Sequence, residues 1–336
     1  SAVRASASLT EQRNNPSRNI LLSVIGQDAF DISASSVFAT YYPGCLREGY
    51  ISKDIVDLQS GNNYQDGFCI HANQQVEIQQ GNIVELGVTV GMPRLADFES
   101  AASAYEQNDG LEEAMREEFL SLRLLNQMDR RFQSLRDGSP VYAAEAGITT
   151  DSSVLWPLEE IPPGNQTRGR YNGADLGNKK VDPTSFDTPN RIYQLECSGQ
   201  GSITVLAGTY SNFALVTSCP VTFATGTNLE SVIVASEADV QANQTRMGRD
   251  DNCAAGGGAQ VWTQGNFSAS ANFEGFGAQI VAQGTVQFPA NSSGPQGLSV
   301  VAGGRIDATS NATMSFCDGD GMENVQEAAM FLSLIH

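Results

Sequence analysis

The sequence of 336 residues has few of the side chains on which most enzymes and nucleic-acid-binding proteins rely. It contains three lysines and two histidines, and its 38 acidic residues outnumber 19 basic ones, for a net charge of −19. Nucleic acids and anionic membranes are bound by basic surfaces, so this balance argues against both as partners. With only His71 and His336, and no GxSxG segment, nucleophilic catalysis has almost no support. We expect His71 at a turn or on the surface and predict that the protein is not an enzyme.

Two further absences narrow the class of protein. No apolar run approaches the about 18 residues of a membrane-spanning helix, and no CxxC pair supports a zinc or thioredoxin-like site. The six cysteines form an even set, which is typical of disulfides in an oxidising compartment. We therefore expect an extracellular, cell-surface or periplasmic protein. The local pairing is predicted, although other connectivities and buried free cysteines are alternatives: Cys45–Cys69, Cys197–Cys219 and Cys253–Cys317.

What the sequence does contain is a repeat of about 20 residues. Between residues 259 and 317 three lines can be aligned, and each holds a short β-branched run that favours a strand. Two sets of residues fall in register: Gly265, Gly284 and Gly304, and Asn272, Asn291 and Asn311. We expect the glycines to permit the turn after each strand and the asparagines to form a hydrogen-bonded ladder. The pattern predicts a mainly β fold, a parallel β-helix (β-solenoid), with a β-sandwich of similar hairpins as the alternative.

The repeat recurs upstream, where residues 203–208 match 221–226 and residues 56–62 match 76–82. Between these blocks, apolar residues from Leu111 to Phe132 recur at helical spacing after a plausible N-cap, Asp109. Such a helix can cover the unpaired strand edges at a solenoid end. Four regions are predicted: an N-terminal cap or leader over 1–50, first solenoid coils over 51–93, a helical insertion and Pro/Gly-rich connection over 94–190, and a main solenoid block with a closing strand over 191–336.

Two sets of residues are candidates for chemistry. Asp57 and Glu77 lie one repeat apart, and a separation near 5 Å is typical of the carboxylates of a retaining glycosidase. With Tyr64 and Trp262 they would line a carbohydrate-binding groove, although outward charge on a solvent-facing strand is the alternative.

The second set lies in acidic loops, since oxygen ligands around glycine turns are what calcium needs. One loop is Asp250-Asp251, and the other contains Asp318, Asp320 and Glu323. An ordinary acidic turn is the alternative. Calcium is thus the only candidate cofactor, and otherwise none is expected.

Several segments resemble the C-terminal region of bacterial tight-adherence (Tad/Flp) pilus-assembly proteins of the TadG-like type. The segments that carry the resemblance are residues 251–260, 277–284, 310–311 and 321–324, together with Gly67-Phe68-Cys69-Ile70-His71 and Gly91-Met92-Pro93. The resemblance implies an exported, non-enzymatic component of a pilus system, with pilus or envelope proteins as partners. Such proteins normally begin with a hydrophobic membrane segment, so contact with a membrane is expected only through a segment absent from this chain.

A structural or adhesive function follows from the repeat itself, because stacked coils form a rigid face that presents loops for protein contacts. Unpaired strand edges at the ends of a solenoid can pair with another copy, so a homo-oligomer or filament is also expected. The alternative function is a carbohydrate-binding or polysaccharide-degrading β-helix protein.

Overall fold

Short β-branched runs separated by glycine and asparagine determine the secondary structure of this chain. The computed structural model describes residues 2–13, 17–18, 29–41, 48–98, 101–137, 158–160, 167–171, 174–197, 201–254, 256–308, 310–317 and 331–335. The strands are β1 Ala2–Leu9, β2 Ser17–Arg18, β3 Ala29–Phe30, β4 Ile32–Tyr41, β5 Gly49–Ser52, β6 Ile55–Leu58, β7 Asn63–Tyr64, β8 Cys69–Ala72, β9 Gln75–Ile78, β10 Ile83–Val84, β11 Thr89–Met92, β12 Met115–Glu117, β13 Leu158–Glu160, β14 Thr167–Tyr171, β15 Ala174–Val181, β16 Arg191–Leu195, β17 Ile203–Val205, β18 Gly208–Thr217, β19 Val221–Phe223, β20 Thr227–Ser236, β21 Val240–Ala242, β22 Arg246–Met247, β23 Ala259–Thr263, β24 Phe267–Ala269, β25 Glu274–Ala282, β26 Val286–Gln287, β27 Ser293–Ala302, β28 Ile306–Asp307, β29 Thr313–Met314 and β30 Phe331–Ile335. The helices are α1 Ala101–Gln107, α2 Leu111–Ala114, α3 Arg123–Asn126 and α4 Met128–Arg136.

The chain divides into two units, Ser1–Pro43 with Ala329–His336, and Gly44–Ala328. In the first unit β4 lies between β1 and β30 in an antiparallel sheet, and β2 pairs with β3. The closing strand expected near the C-terminus is β30. It pairs in this sheet and not with the repeats, so the main block of repeats ends before it.

In the second unit, successive repeats lie side by side as parallel strands. The larger sheet has the order β12-β11-β8-β5-β27-β25-β22-β20-β18-β16-β13, with β23 also between β20 and β25. The smaller sheet has the order β14-β15-β17-β19-β21-β24-β26-β28-β6-β9, and only its β14–β15 pair is antiparallel. Among the described strands of this unit, this parallel order rules out a sandwich of antiparallel hairpins. The protein is mainly β with parallel sheets.

The core of this unit consists of columns of equivalent residues. One column follows the smaller sheet and is fully buried: Ile203, Val221, Val240, Phe267, Val286, Ile306, Val56 and Val76. Burying each such side chain contributes about 1.5–3 kcal/mol relative to exposing it. The alternation of buried and outward residues therefore fixes the register, because a slip of one residue would expose a whole column.

The spatial order of the repeats differs from their order in the sequence. The larger sheet runs from residues 158–160 up to 293–302, continues directly into 49–52, and ends at 115–117. At this junction, the seam, Ser299 pairs with Gly49 and Ile306 pairs with Val56. The N-terminal repeats thus continue the stack that the C-terminal repeats begin.

The long helix predicted from Leu111 is wrong in its extent. Its first turn is α2, capped by Gly110 at φ 75° rather than by Asp109, and the chain then becomes extended in β12. The reason is tertiary pairing, since Met115 lies beside Val90 as the next strand of the larger sheet. This pairing outweighs the helix propensity of the segment.

The remainder of the predicted helix forms a strap, residues 118–137, across the outer face of the larger sheet. Its Leu124 and Phe132 are buried in one cluster with Ala214, Trp262 and Val281. The strap leads the chain back along the sheet. Polar contacts fix its course: Asn73 Nδ2 donates to Leu120 O, Gln283 Nε2 donates to Leu125 O, and Arg136 pairs with Glu196 and Glu237.

Two of the three predicted disulfides are confirmed, Cys197–Cys219 and Cys253–Cys317. Cys69 is also disulfide-bonded, while Cys45 lies outside the described residues. In the chain-entropy account each crosslink contributes about 3–4 kcal/mol. No helix among the described residues is long and apolar enough to cross a membrane.

Candidate functional site

The carboxylates of Asp57 and Glu77 belong to a column that crosses the seam. Asp307 pairs with Asp57, and Asp57 pairs with Glu77, so three acidic side chains project from adjacent strands. Neighbouring strands lie about 4.8 Å apart, and unpaired like charges at that distance repel. The column therefore needs a cation.

Arg305 supplies that cation. Its Nε lies 2.6 Å from Asp307 Oδ1, and its Nη2 lies 2.5 Å from Asp57 Oδ2 and 2.7 Å from Glu77 Oε2. Partial burial disfavours the charged guanidinium, but the hydrogen bonds to the three carboxylates outweigh this effect and raise the pKa of Arg305. The arrangement joins the last repeat of one block to the first two repeats of the other.

This geometry bears on the predicted glycosidase pair. A retaining glycosidase needs one free nucleophilic carboxylate and one proton donor, whereas Asp57 and Glu77 share a guanidinium. The Asp57 side chain is 14% exposed, which limits its access to a substrate. The aromatic residues proposed for the same groove are also inaccessible, since Tyr64 is 1% exposed and Trp262 is 2% exposed beneath the strap.

His71 does not lie at a surface turn, as expected from the sequence, but is fully buried in β8. Its Nε2 lies 2.9 Å from Asn73 Oδ1. Burial lowers the pKa of His71, and the hydrogen bond to Asn73 and the charge of Glu118 oppose this only in part. Asn73 in turn binds the backbone of Leu120, so His71 supports the start of the strap.

The glycines at positions 265, 284 and 304 form one column. The N–H of Gly284 donates to Gly265 O at 2.9 Å, and the N–H of Gly304 donates to Gly284 O at 2.9 Å. Their φ angles are not left-handed, so the expected turn conformation is not the reason for glycine. The reason is space, because a Cβ on Gly284 would lie 2.8 Å from Gly265 O.

The asparagines at positions 272, 291 and 311 also align, but at an exposed turn with φ of 63°, 63° and 56°. Asparagine tolerates this left-handed conformation, which explains its choice there. Their side chains are exposed, and the hydrogen-bonded ladder expected of them stays a prediction.

A buried asparagine ladder occurs instead in the N-terminal repeats. Its Asn62 is level with Ala312, the residue that follows Asn311. The Asn62 N–H donates to Asn82 Oδ1 at 3.0 Å, and the Asn82 N–H donates to Asn108 Oδ1 at 2.9 Å. At the seam, the Ala312 N–H donates to Asn62 Oδ1 at 3.1 Å. All three asparagines are 1% exposed, so the ladder satisfies buried backbone donors.

The structure describes one of the two acidic loops, Asp250-Asp251, and not the other. Asp251 Oδ2 pairs with Arg249 at 2.7 Å, and Asp250 Oδ1 accepts from Gln296. Both carboxylates therefore accept hydrogen bonds from protein side chains. Asp318, Asp320 and Glu323 lie outside the described residues. Within the described ranges, no group of three or more His, Cys, Asp or Glu side chains is placed to hold a metal ion.

Parallel repeats, joined across the seam by the carboxylate column that Arg305 closes, define a mainly β protein with parallel sheets. The family described as "Domain of unknown function (DUF7867)" matches residues 49–318. The chain belongs to this family, whose matched region begins at β5 and includes both sides of the seam. No curated protein and no solved structure matches the chain.

Proposed function

We propose that this protein is an exported, non-enzymatic structural component of a pilus or another cell-surface assembly, and that its repeats form a β-solenoid. The observation that carries the proposal is the residue-on-residue parallel register, which continues across the seam. In a solenoid each coil contacts only its neighbours, and the coils together form an extended surface for binding other proteins.

The dimensions of the stack suit a structural element. The larger sheet places eleven strands in succession along its main path. At about 4.8 Å per strand, this is roughly 48 Å of stacked backbone. The strap, the asparagine ladder and the Arg305 cluster each connect several repeats, which favours a stiff unit over a chain of independently moving coils.

Export is supported by the disulfides, since such bonds persist mainly in oxidising compartments. The assignment to a pilus comes from the resemblance of residues 277–284 and 310–311 to tight-adherence pilus-assembly proteins. The carbohydrate-active alternative has less support, because its proposed aromatic residues are buried and its carboxylates are ion-paired.

Locating the protein in cells that produce it tests the proposal. We expect it in the envelope or surface fraction, with the Cys197–Cys219 and Cys253–Cys317 bonds found by non-reducing peptide mapping. Deleting the gene should impair the surface assembly. A reduced, cytoplasmic protein would contradict export. Cleavage of acidic polysaccharides that is lost in Glu77→Gln would contradict the non-enzymatic function.

A further inference from the structure

An apolar groove lies at the end of the stack, between residues 84 and 116. It is lined by the buried side chains of Val84, Val88 and Ala114 and by Leu86, which is 92% exposed. The groove has a volume of about 350 Å³, which is within the range of about 300–1,000 Å³ that is usual for binding pockets. It therefore has room for a side chain of another molecule.

The stacking of the repeats explains why Leu86 points away from the core. Val84 pairs with Tyr64, so Leu86 is level with Asp66 in the preceding repeat. Asp66 is exposed, as is usual for a charged residue at an outward position. A leucine at the same position adds nothing to the core, and an exposed apolar surface of this kind is typical of a protein interaction site.

The rim of the groove is acidic. Glu85, Asp109 and Glu113 line it, and Glu112 lines an adjoining pocket. Glu112 and Glu113 are exposed, and in the part of the chain that the structure describes neither of them pairs with a cation. A ligand that places positive charge next to an apolar group therefore complements this groove.

The basic residues nearby do not neutralise the rim. Arg116 donates through Nη1 to backbone oxygens, at 2.6 Å from Glu113 O and 2.7 Å from Met115 O. Arg94 pairs with Asp97 at 2.7 Å. The carboxylates of the rim thus keep their negative charge available for a partner.

The sheet edge beside the groove is poorly suited to adding a strand. β12 is the last strand of the larger sheet and is only three residues long. The Met115 N–H donates to Leu111 O, and Met115 O accepts from Arg116, so both groups are already used. A partner therefore binds through side chains in the groove. A second copy of the chain is disfavoured, because each copy carries a net charge of −19.

We propose that this groove binds a cationic segment of another protein. An aliphatic side chain of that segment enters the groove beside Leu86, and flanking lysine or arginine side chains pair with the acidic rim. The proposal deepens the structural function proposed above and rests on it, because a structural component binds other proteins of its assembly. The net negative charge attracts a basic partner over a distance, and the groove determines where it binds.

Fluorescence anisotropy with the full-length protein tests the proposal. The probe is a short labelled peptide of alternating lysine and leucine, and the reference peptide has serine in place of each leucine and so keeps the charge. We expect the leucine peptide to bind at least about tenfold more tightly than the serine peptide. Leu86→Ser should remove most of this difference, whereas Leu86→Met keeps an apolar side chain and should preserve it.

The acidic rim is tested with a second pair of variants. Glu112→Gln/Glu113→Gln should raise the Kd of the leucine peptide about tenfold at low salt and weaken its dependence on salt. Asp129→Asn/Asp187→Asn is the matched control, since it makes the same change in net charge at exposed residues outside the groove, and it should bind like the unmodified protein. Equal binding of the two peptides, or equal effects of the two double variants, would overturn the proposal, because net charge alone would then account for binding.

Two controls separate this proposal from other causes. Far-ultraviolet circular dichroism and the thermal midpoint should be the same in all variants, because the replaced side chains are exposed. A cytoplasmic protein that still binds the leucine peptide through Leu86 would contradict the exported function and support the groove. An exported protein that binds both peptides equally would overturn the groove alone.

Discussion

Replacing Arg305 by glutamine tests whether the seam depends on the ion-pair cluster. The substitution removes the one guanidinium that contacts Asp307, Asp57 and Glu77 and leaves three carboxylates in a column. Two unit charges about 4.8 Å apart repel by roughly 1 kcal/mol in water and about 3.5 kcal/mol at an effective dielectric constant of 20. Because these groups are partly exposed, we take the lower half of that range for each of the two neighbouring pairs. The expected loss in the free energy of unfolding is about 2–4 kcal/mol near pH 7.

The assay is urea unfolding followed by circular dichroism and by amide hydrogen exchange of residues 49–92. A variant that also carries Asp57→Asn and Glu77→Gln should recover most of the lost stability. Arg94→Gln is the control, since Arg94 is 74% exposed and, among the residues that the structure describes, pairs with nearby Asp97. Equal effects of Arg305→Gln and Arg94→Gln would refute the reasoning.

Three further predictions concern buried groups. Asn82→Ala removes the acceptor for the Asn62 N–H and should cost about 2–4 kcal/mol in urea unfolding; an unchanged free energy of unfolding would count against the ladder. Gly284→Ala should lower the free energy of unfolding by about 1–3 kcal/mol, because its Cβ would lie 2.8 Å from Gly265 O, and an unchanged midpoint would show that the column has room. Burial lowers the pKa of His71 below its ordinary 6.5, so the folded state binds a proton less readily than the unfolded state. The free energy of unfolding should therefore fall as the pH drops below about 6.5. His71→Gln should remove the part of this decrease that comes from His71.

The parallel register of the repeats was predictable from the sequence, but the physical reason for its column of glycines was not. A repeat of about 20 residues with glycine at positions 265, 284 and 304 predicts residue-on-residue stacking, and the structure has that column. Sequence alone cannot separate a glycine needed for its φ angle from one needed for close approach. That distinction depends on what the neighbouring repeat places against it.

The order in which the repeats stack was predictable in principle from the sequence. It requires aligning the repeats of the two blocks with each other, and not only within each block. Arg305-Ile306-Asp307 aligns with Ile55-Val56-Asp57 and with Gln75-Val76-Glu77. Placed in one register, these three segments form the column that crosses the seam. The importance of Arg305 follows only from that alignment, because its carboxylate partners are far away in sequence.

The helix was predictable only as a set of buried residues. Leu111 and Phe132 are both buried, but Leu111 packs in the main core while Phe132 packs on the outer face of the larger sheet. Apolar spacing of 3–4 residues reports burial and not what the residues are buried against. A break at Met115 therefore leaves the periodicity intact.

The position of the seam has a consequence for synthesis on the ribosome. Residues 49–92 emerge early, yet the strands that flank them on one side, residues 299–314, emerge more than two hundred residues later. At about 5–20 residues per second, the early repeats wait on the order of ten seconds or longer with one edge unpaired. The stack is therefore completed only after residues 299–314 have been synthesised, and until then a second nascent chain can compete for that edge. We expect premature termination anywhere before residue 299 to give aggregation-prone fragments rather than shorter, stable stacks.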